Sequence, residues 1–190
     1  LLRILSGELK PGGGDVFFNG VPLKELSIES LAKKRAMLMQ HYSVPLPFTC
    51  EEIVMMGRYP HYKTSTAQRN AGVVDRCMKE MDVARFADRL FHTLSGGEQQ
   101  RVQLARVLAQ LEDIENPANR ILLLDEPTAS MDWLNQQMLL SRLRGLSAAG
   151  YTVVVVLHDL NLAAQYAEHI LLLKSGRLES QGSVGEVLNV

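Results

Sequence analysis

No stretch of this 190-residue sequence is long and apolar enough to cross a membrane as a helix. The longest run, Tyr151 to Leu157, falls far short of the ~20 residues required. Cysteine is scarce: Cys50 and Cys77 are the only two, and they form no C-x-x-C pair. This excludes a disulfide framework and points to two reduced thiols in a cytosolic protein. Charge imbalance is missing too, with 20 Lys+Arg against 21 Asp+Glu and a net charge of −1. No global field therefore pulls the chain onto nucleic acid or anionic lipid. The opening Leu1-Leu2-Arg3-Ile4-Leu5 lacks the charged lead and cleavage site of a signal peptide. It lacks Met as well and reads as a cut end. Internal repeats and low-complexity segments are absent. His41, His61, His92 and His169 show no metal-ligand spacing. Ser95 lacks the G-x-S-x-G surroundings of a hydrolase nucleophile.

What is present is an ordinary globular composition, 46% hydrophobic and 22% charged, with length for one domain or one domain plus a small lobe. Leu1 to Leu9 suits the end of a buried helix, broken by Gly7 and by Pro11-Gly12-Gly13-Gly14. Asp15–Phe18 and Val21–Leu23 read as an antiparallel hairpin turning at Asn19-Gly20. Ile28–Lys34 is a short helix with Ser27 as N-cap, and Ala36–Met39 a strand ending at Gln40. From Val44 to about Leu108 the pattern becomes all-helical. Thr49 and Glu52 form a capping box, Gly57 stops the helix that follows, and helices are expected over 66–81, 83–87 and 97–111. Arg58, Tyr59 and His61 suit either a partner surface or a solvated loop. Beyond the polar loop 112–119, apolar strands at 121–124, 152–157 and 170–173 alternate with helices at 134–146 and 160–167. That alternation predicts an α/β fold with a largely parallel sheet covered on both faces.

Ligands of open parallel sheets sit beyond the carboxyl ends of the strands. Three strands here end in polar residues: Gln40, Asp125-Glu126 and His158-Asp159. Adjacent carboxylates at a strand end can divide two tasks, one holding a divalent cation and one meeting an attacking water. In Leu94-Ser95-Gly96-Gly97-Glu98, two glycines before a helix let a phosphate approach exposed N–H groups, and Ser95 adds a hydroxyl donor.

Gln40, Leu94–Glu98, Leu122–Glu126, Ser130-Met131-Asp132 and His158 follow one another in the order of the Q-loop, signature motif, Walker B strand, D-loop and switch histidine. In this the chain resembles the ABC-type ATPases over essentially its whole length. Gln40-His41, Pro47-Phe48-Thr49, Glu52, Met56-Gly57-Arg58 and Pro60-His61 are most similar to the ATP-binding proteins of hemin importers, within the group serving iron-siderophores and cobalamin.

The resemblance implies a P-loop NTPase-like ABC ATPase domain: a mainly parallel sheet flanked by helices, an N-terminal antiparallel β part and an inserted helical subdomain. It implies a partial catalytic core at 1–43, a helical subdomain at 44–108 and further catalytic core at 109–190. ATP and Mg²⁺ are the implied cofactors. Asp125 would position Mg²⁺ with Gln40, which would also sense the γ-phosphate. Glu126 would polarise the attacking water and His158 would contact the γ-phosphate. Ser95, Gly96, Gly97 and Glu98 would meet the nucleotide held by a second, identical subunit, and Asp132 would lie at that subunit interface. The implied partners are that second subunit, a transmembrane permease contacted through the helical subdomain, and indirectly a periplasmic substrate-binding protein; nucleic acid is not among them. The implied location is peripheral, on the cytoplasmic face of a bacterial inner membrane.

One family element has no counterpart. A phosphate loop needs G-x-x-x-x-G-K-[ST], and no glycine here precedes Lys-Ser or Lys-Thr. The loop is expected just before Leu1, so that these 190 residues alone bind ATP weakly or not at all. Met131 replaces the usual D-loop leucine, a mild change of shape. Two other readings stay open at this point: a soluble ABC ATPase of translation or DNA repair, and a truncated, catalytically inactive domain that acts only by interaction.

Overall fold

The computed structural model describes residues 1–40, 47–112 and 119–188. His41, the expected linker at 44–46, the boundary at 43/44 and most of the 112–119 loop lie outside the described residues. A short α1 (Leu2–Leu5) precedes a hairpin of β1 (Phe17–Phe18) and β2 (Val21–Pro22). Its turn residues Asn19 and Gly20 both have positive φ, as a tight two-residue turn requires. Helix α2 (Ile28–Lys34) begins where the Ser27 hydroxyl accepts from the Ser30 N–H, and runs into β3 (Arg35–Leu38).

The helical part holds α3 (Cys50–Met56), α4 (Ala67–Glu80) and α5 (Gly96–Leu111). Both reciprocal bonds of the Thr49–Glu52 capping box are made. The helix expected at 83–87 is a single 3₁₀ turn, Ala84–Phe86. Gly57 does end α3, but not as a left-handed cap: its φ of −60° is right-handed. A Cβ there would stand 2.2 Å from the Arg106 carbonyl oxygen, so glycine is required by the close approach of α3 to α5. Arg58 and His61, expected at the surface, are 2% and 3% exposed. Of the three residues considered for a partner surface, Tyr59 alone is exposed.

Next come β4 (Ile121–Asp125), α6 (Trp133–Ala148), β5 (Thr152–Val156) and α7 (Leu160–Tyr166), then β6 (Ile170–Lys174), β7 (Arg177–Gly182) and α8 (Val184–Leu188). Strands β3, β4 and β5 form a parallel sheet in that order, with Leu38 opposite Leu124 and Asp125 opposite Val156. This register brings Gln40, Glu126 and His158 to one edge. The third apolar strand, β6, does not extend that sheet among the described residues. It pairs antiparallel with β7 through the turn Ser175-Gly176, both of positive φ, because a two-residue hairpin closes locally. Leu171 and Leu173 are exposed as a result.

One apolar cluster serves the sheet and the helical part together. Ala36 and Leu38 of β3 and Leu122 and Leu124 of β4 pack with Ile53, Val74, Val102, Leu104 and Leu108 from α3, α4 and α5. Helix α5 thus joins the helical part to the sheet, and its first turn and last turn have different neighbours.

Candidate functional site

Three side chains meet at the carboxyl edge of the sheet. Burial of Leu122, Leu123 and Leu124 fixes β4, and Asp125 is its last residue. The chain then turns sharply, with Glu126 at φ +48°. The Glu126 N–H donates to the Val156 carbonyl at 3.2 Å, and the Ala129 N–H returns to the Glu126 carbonyl at 3.2 Å. The Glu126 carboxylate is engaged on both sides: Gln40 Nε2 donates to Oε2 at 2.5 Å, and His158 Nε2 lies 2.5 Å from Oε1. Glu126's side chain is 17% exposed and that of His158 78%, so the pair is anchored at the glutamate and open at the imidazole.

A fixed carboxylate next to a solvent-facing imidazole can orient a water and accept its proton. Asp125 sits one residue earlier on the same strand end. Among the described residues no three His, Cys, Asp or Glu gather into a metal cage. Mg²⁺ needs no such cage: it keeps waters and takes one or two carboxylates with substrate phosphates. The Asp125 carboxylate and the Gln40 amide oxygen, both at this end of the sheet, are donors of the type such a site would use.

The remaining predicted residues gather where α5 and α6 begin. Ser95 is the N-cap of α5. Its hydroxyl accepts from the Glu98 N–H, and both its hydroxyl and its N–H donate to Glu98 Oε2, at 2.7 and 2.8 Å. These bonds, from the hydroxyl first, hold the Glu98 carboxyl below its usual range. Glu98 thus shapes the loop that presents Gly96 and Gly97. A Cβ on Gly96 would stand 3.3 Å from Ser130 Cβ, so the glycine loop lies against the segment that follows β4. Asp132 caps α6: its Oδ1 accepts from the Asn135 N–H at 2.9 Å and its Oδ2 from Asn135 Nδ2 at 2.8 Å. Those bonds, the backbone one first, lower its pKa. Asn135 Oδ1 in turn accepts from Arg101 of α5 at 3.1 Å, tying the two helix starts together. Among the described residues no hydrogen bond joins this grouping to Gln40, Glu126 and His158.

Sequence reasoning missed Asn135 and Arg101 as organisers of this corner. The spacing Asp132-x-x-Asn135 is a readable N-cap signal, whereas the Arg101 contact depends on the packing of α5 on α6.

A family model for ABC transporters matches residues 1–129. The hemin import ATP-binding protein of Methylobacillus flagellatus is 43% identical over 189 residues, which cover 99% of this chain and 70% of that protein. Its namesake from Gloeobacter violaceus is 46% identical over 178 residues, 94% of this chain and 65% of that one. The chain spans about two thirds of the length of these relatives. Among solved structures, an ABC transporter assigned to the metal-chelate type, in an inward-facing conformation, superposes with a TM-score of 0.78 at 26% identity, over 98% of this chain and 68% of that one. A dimeric ATP-binding cassette bound to ADP and Pi gives a TM-score of 0.80 at 29% identity, over 96% and 78%.

Proposed function

Because this chain belongs to the ABC transporter family, we propose that it is the greater part of an ATP-binding and ATP-hydrolysing subunit of an importer for hemin or a related iron chelate. The observation that carries the hydrolytic role is the Glu126 carboxylate, held between Gln40 and His158 at the end of a buried parallel strand. The names of the relatives support the hemin reading.

In the proposed mechanism Glu126 orients the attacking water and takes up its proton. Each carboxylate oxygen has one partner and a further lone pair that can accept from water, and the exposed His158 can swing away without disturbing the core. The freed imidazole then faces the γ-phosphate. Gln40 reports the state of the edge to β3 and to the segment after it. Mg²⁺, held by Asp125 and Gln40, would neutralise phosphate charge.

Ser95, Gly96 and Gly97 meet the nucleotide of a second copy. Asp132 lies at that interface, beside the exposed Trp133 and Leu134, which a partner subunit would cover. On the helical part, a groove of about 350 Å³ is lined by Phe48, Met55, Met56, Tyr59 and Tyr62 together with Glu52, Arg58 and Asn70, a surface suited to an amphipathic helix of the permease. The subunit then works on the cytoplasmic face of the membrane, as a peripheral partner of that permease.

The test is Glu126→Gln in the full-length subunit. ATP binding and ATP-driven dimerisation persist, while turnover falls about 10²–10⁴-fold, the usual worth of a positioned general base. Undiminished turnover removes Glu126 from the role. Transport of radiolabelled hemin by the subunit with its permease in proteoliposomes tests the substrate, and uptake of a ferric siderophore alone would overturn hemin.

A further inference from the structure

Helix α5 has the glycine loop at its start and no glycine at its end. Its C-cap, Glu112, is in the right-handed region. The last carbonyls of a helix have no partner within it and must find donors elsewhere. Two of them find buried side chains from the segment after α3. Arg58 Nη1 donates to the Ala109 carbonyl at 2.6 Å, and His61 Nε2 lies 2.8 Å from the Gln110 carbonyl. That second contact requires the tautomer with the proton on Nε2. Arg58 Nε also donates to Asn70 of α4 at 3.0 Å. A cation at a helix C-terminus is favoured by the helix dipole, but burying it is costly unless its donors are used. A glycine cap or a solvated end would satisfy the same carbonyls. What the buried pair adds is a fixed position.

The fixing is two-sided. Gln110 Nε2 donates to the carbonyls of Ala32 and Arg35, at 2.7 and 3.0 Å, and so ties the end of α5 to α2 and to the first residue of β3. Gly57, immediately before Arg58, sits against the Arg106 carbonyl with no room for a Cβ. A 16-residue helix is a rod of about 24 Å. Clamping its last two turns therefore sets where its first turn, with Ser95, Gly96 and Gly97, presents its N–H groups.

We propose that Arg58 and His61 are positioning residues for the nucleotide-facing loop Ser95–Gly97, acting through the C-terminal carbonyls of α5. This rests on the reading that the loop meets a nucleotide held by a second subunit. Misplacement by about 1 Å far from the chemistry can cost 10²-fold in rate.

The experiment uses the full-length subunit with Arg58→Gln, His61→Ala and His61→Gln, each measured for binding of Mg-ATP to the monomer and, in a Glu126→Gln background, for ATP-driven dimerisation by sedimentation. Monomer binding stays within twofold of the parent in all three, because the loop serves the other subunit's nucleotide. Dimer affinity falls at least tenfold in Arg58→Gln and less in His61→Ala, and His61→Gln restores it, since the glutamine amide can donate to the same carbonyl. Should Arg58→Gln fail to fold, the His61 pair alone decides. Parental dimerisation in folded Arg58→Gln and His61→Ala overturns the proposal, as does a loss that His61→Gln fails to repair. Gly97→Asp separates the two layers: if it too dimerises like the parent, the reading of the loop is what fails.

Discussion

Replacing Gly57 with alanine sets two physical rules against each other. At φ −60° and ψ −25° the backbone is helical, and by propensity alone alanine stabilises such a position by about 0.5–1 kcal/mol over glycine. The packing gives the opposite sign. The new methyl would sit 2.2 Å from the Arg106 carbonyl oxygen and 3.1 Å from its carbon, where real Cβ contacts essentially never fall below 3.0 Å. The atoms facing it are backbone, so no side chain can rotate aside. The two helices must part by about 0.8 Å, and overpacking of this kind costs about 1–3 kcal/mol. The shift also loosens the contacts of Ile53 and Val54, both fully buried. Set against the propensity gain, the net loss is about 1–2 kcal/mol, or roughly 2–8 °C in Tm for a domain of this size. Urea unfolding of the full-length subunit, at an unchanged slope with denaturant, is the appropriate assay. A Gly57→Ala protein as stable as the parent, or more so, would refute the close-approach reading and restore that of a simple helix stop.

Two further outcomes follow from buried groups. Burial foremost, with Arg58 adding to it, lowers the pKa of His61. The unfolded chain, titrating near 6.5, then binds the proton first, so stability is complete above about pH 6.5 and declines as pH falls below it. His61→Gln should flatten the stability profile between about pH 5 and 7 relative to the parent, and an unchanged slope would show that His61 does not titrate differently on folding. Cys77 is almost fully buried, and burial, chiefly, pushes its thiol up to about 12. At pH 8 it should resist alkylation in the native subunit and react at once in denaturant, followed by mass spectrometry. Rapid native labelling of Cys77 would contradict its place in the core.

Local patterns in the chain were readable because their causes are local. The Thr49–Glu52 box, the Ser27 cap and the Asn19-Gly20 turn need only neighbours a few residues away, and each is found as expected. The buried strand 121–124 announced itself by having no polar face. Convergence of Gln40, Glu126 and His158 was legible from strand ends alone, because parallel strands in register must deliver their carboxyl ends to one edge. The opaque features depend on distant contacts. Gly57 looks like a stop until Arg106 is placed against it. Arg58 and His61 look like surface residues until the end of α5 offers its carbonyls. Leu171 and Leu173 look like core, but the closure of a local hairpin decides their pairing.

The left-handed backbone at Glu126 carries a consequence for variation at this position. An L-residue with a long side chain gives up about 1–2 kcal/mol there, which glycine would recover and asparagine in part. Gln has the same backbone preferences as Glu, so Glu126→Gln inherits the strain unchanged. Glycine would trade that strain against the bonds to Gln40 and His158, each worth about 0.5–1.5 kcal/mol, so a library selected for thermal resistance alone should hold position 126 only loosely.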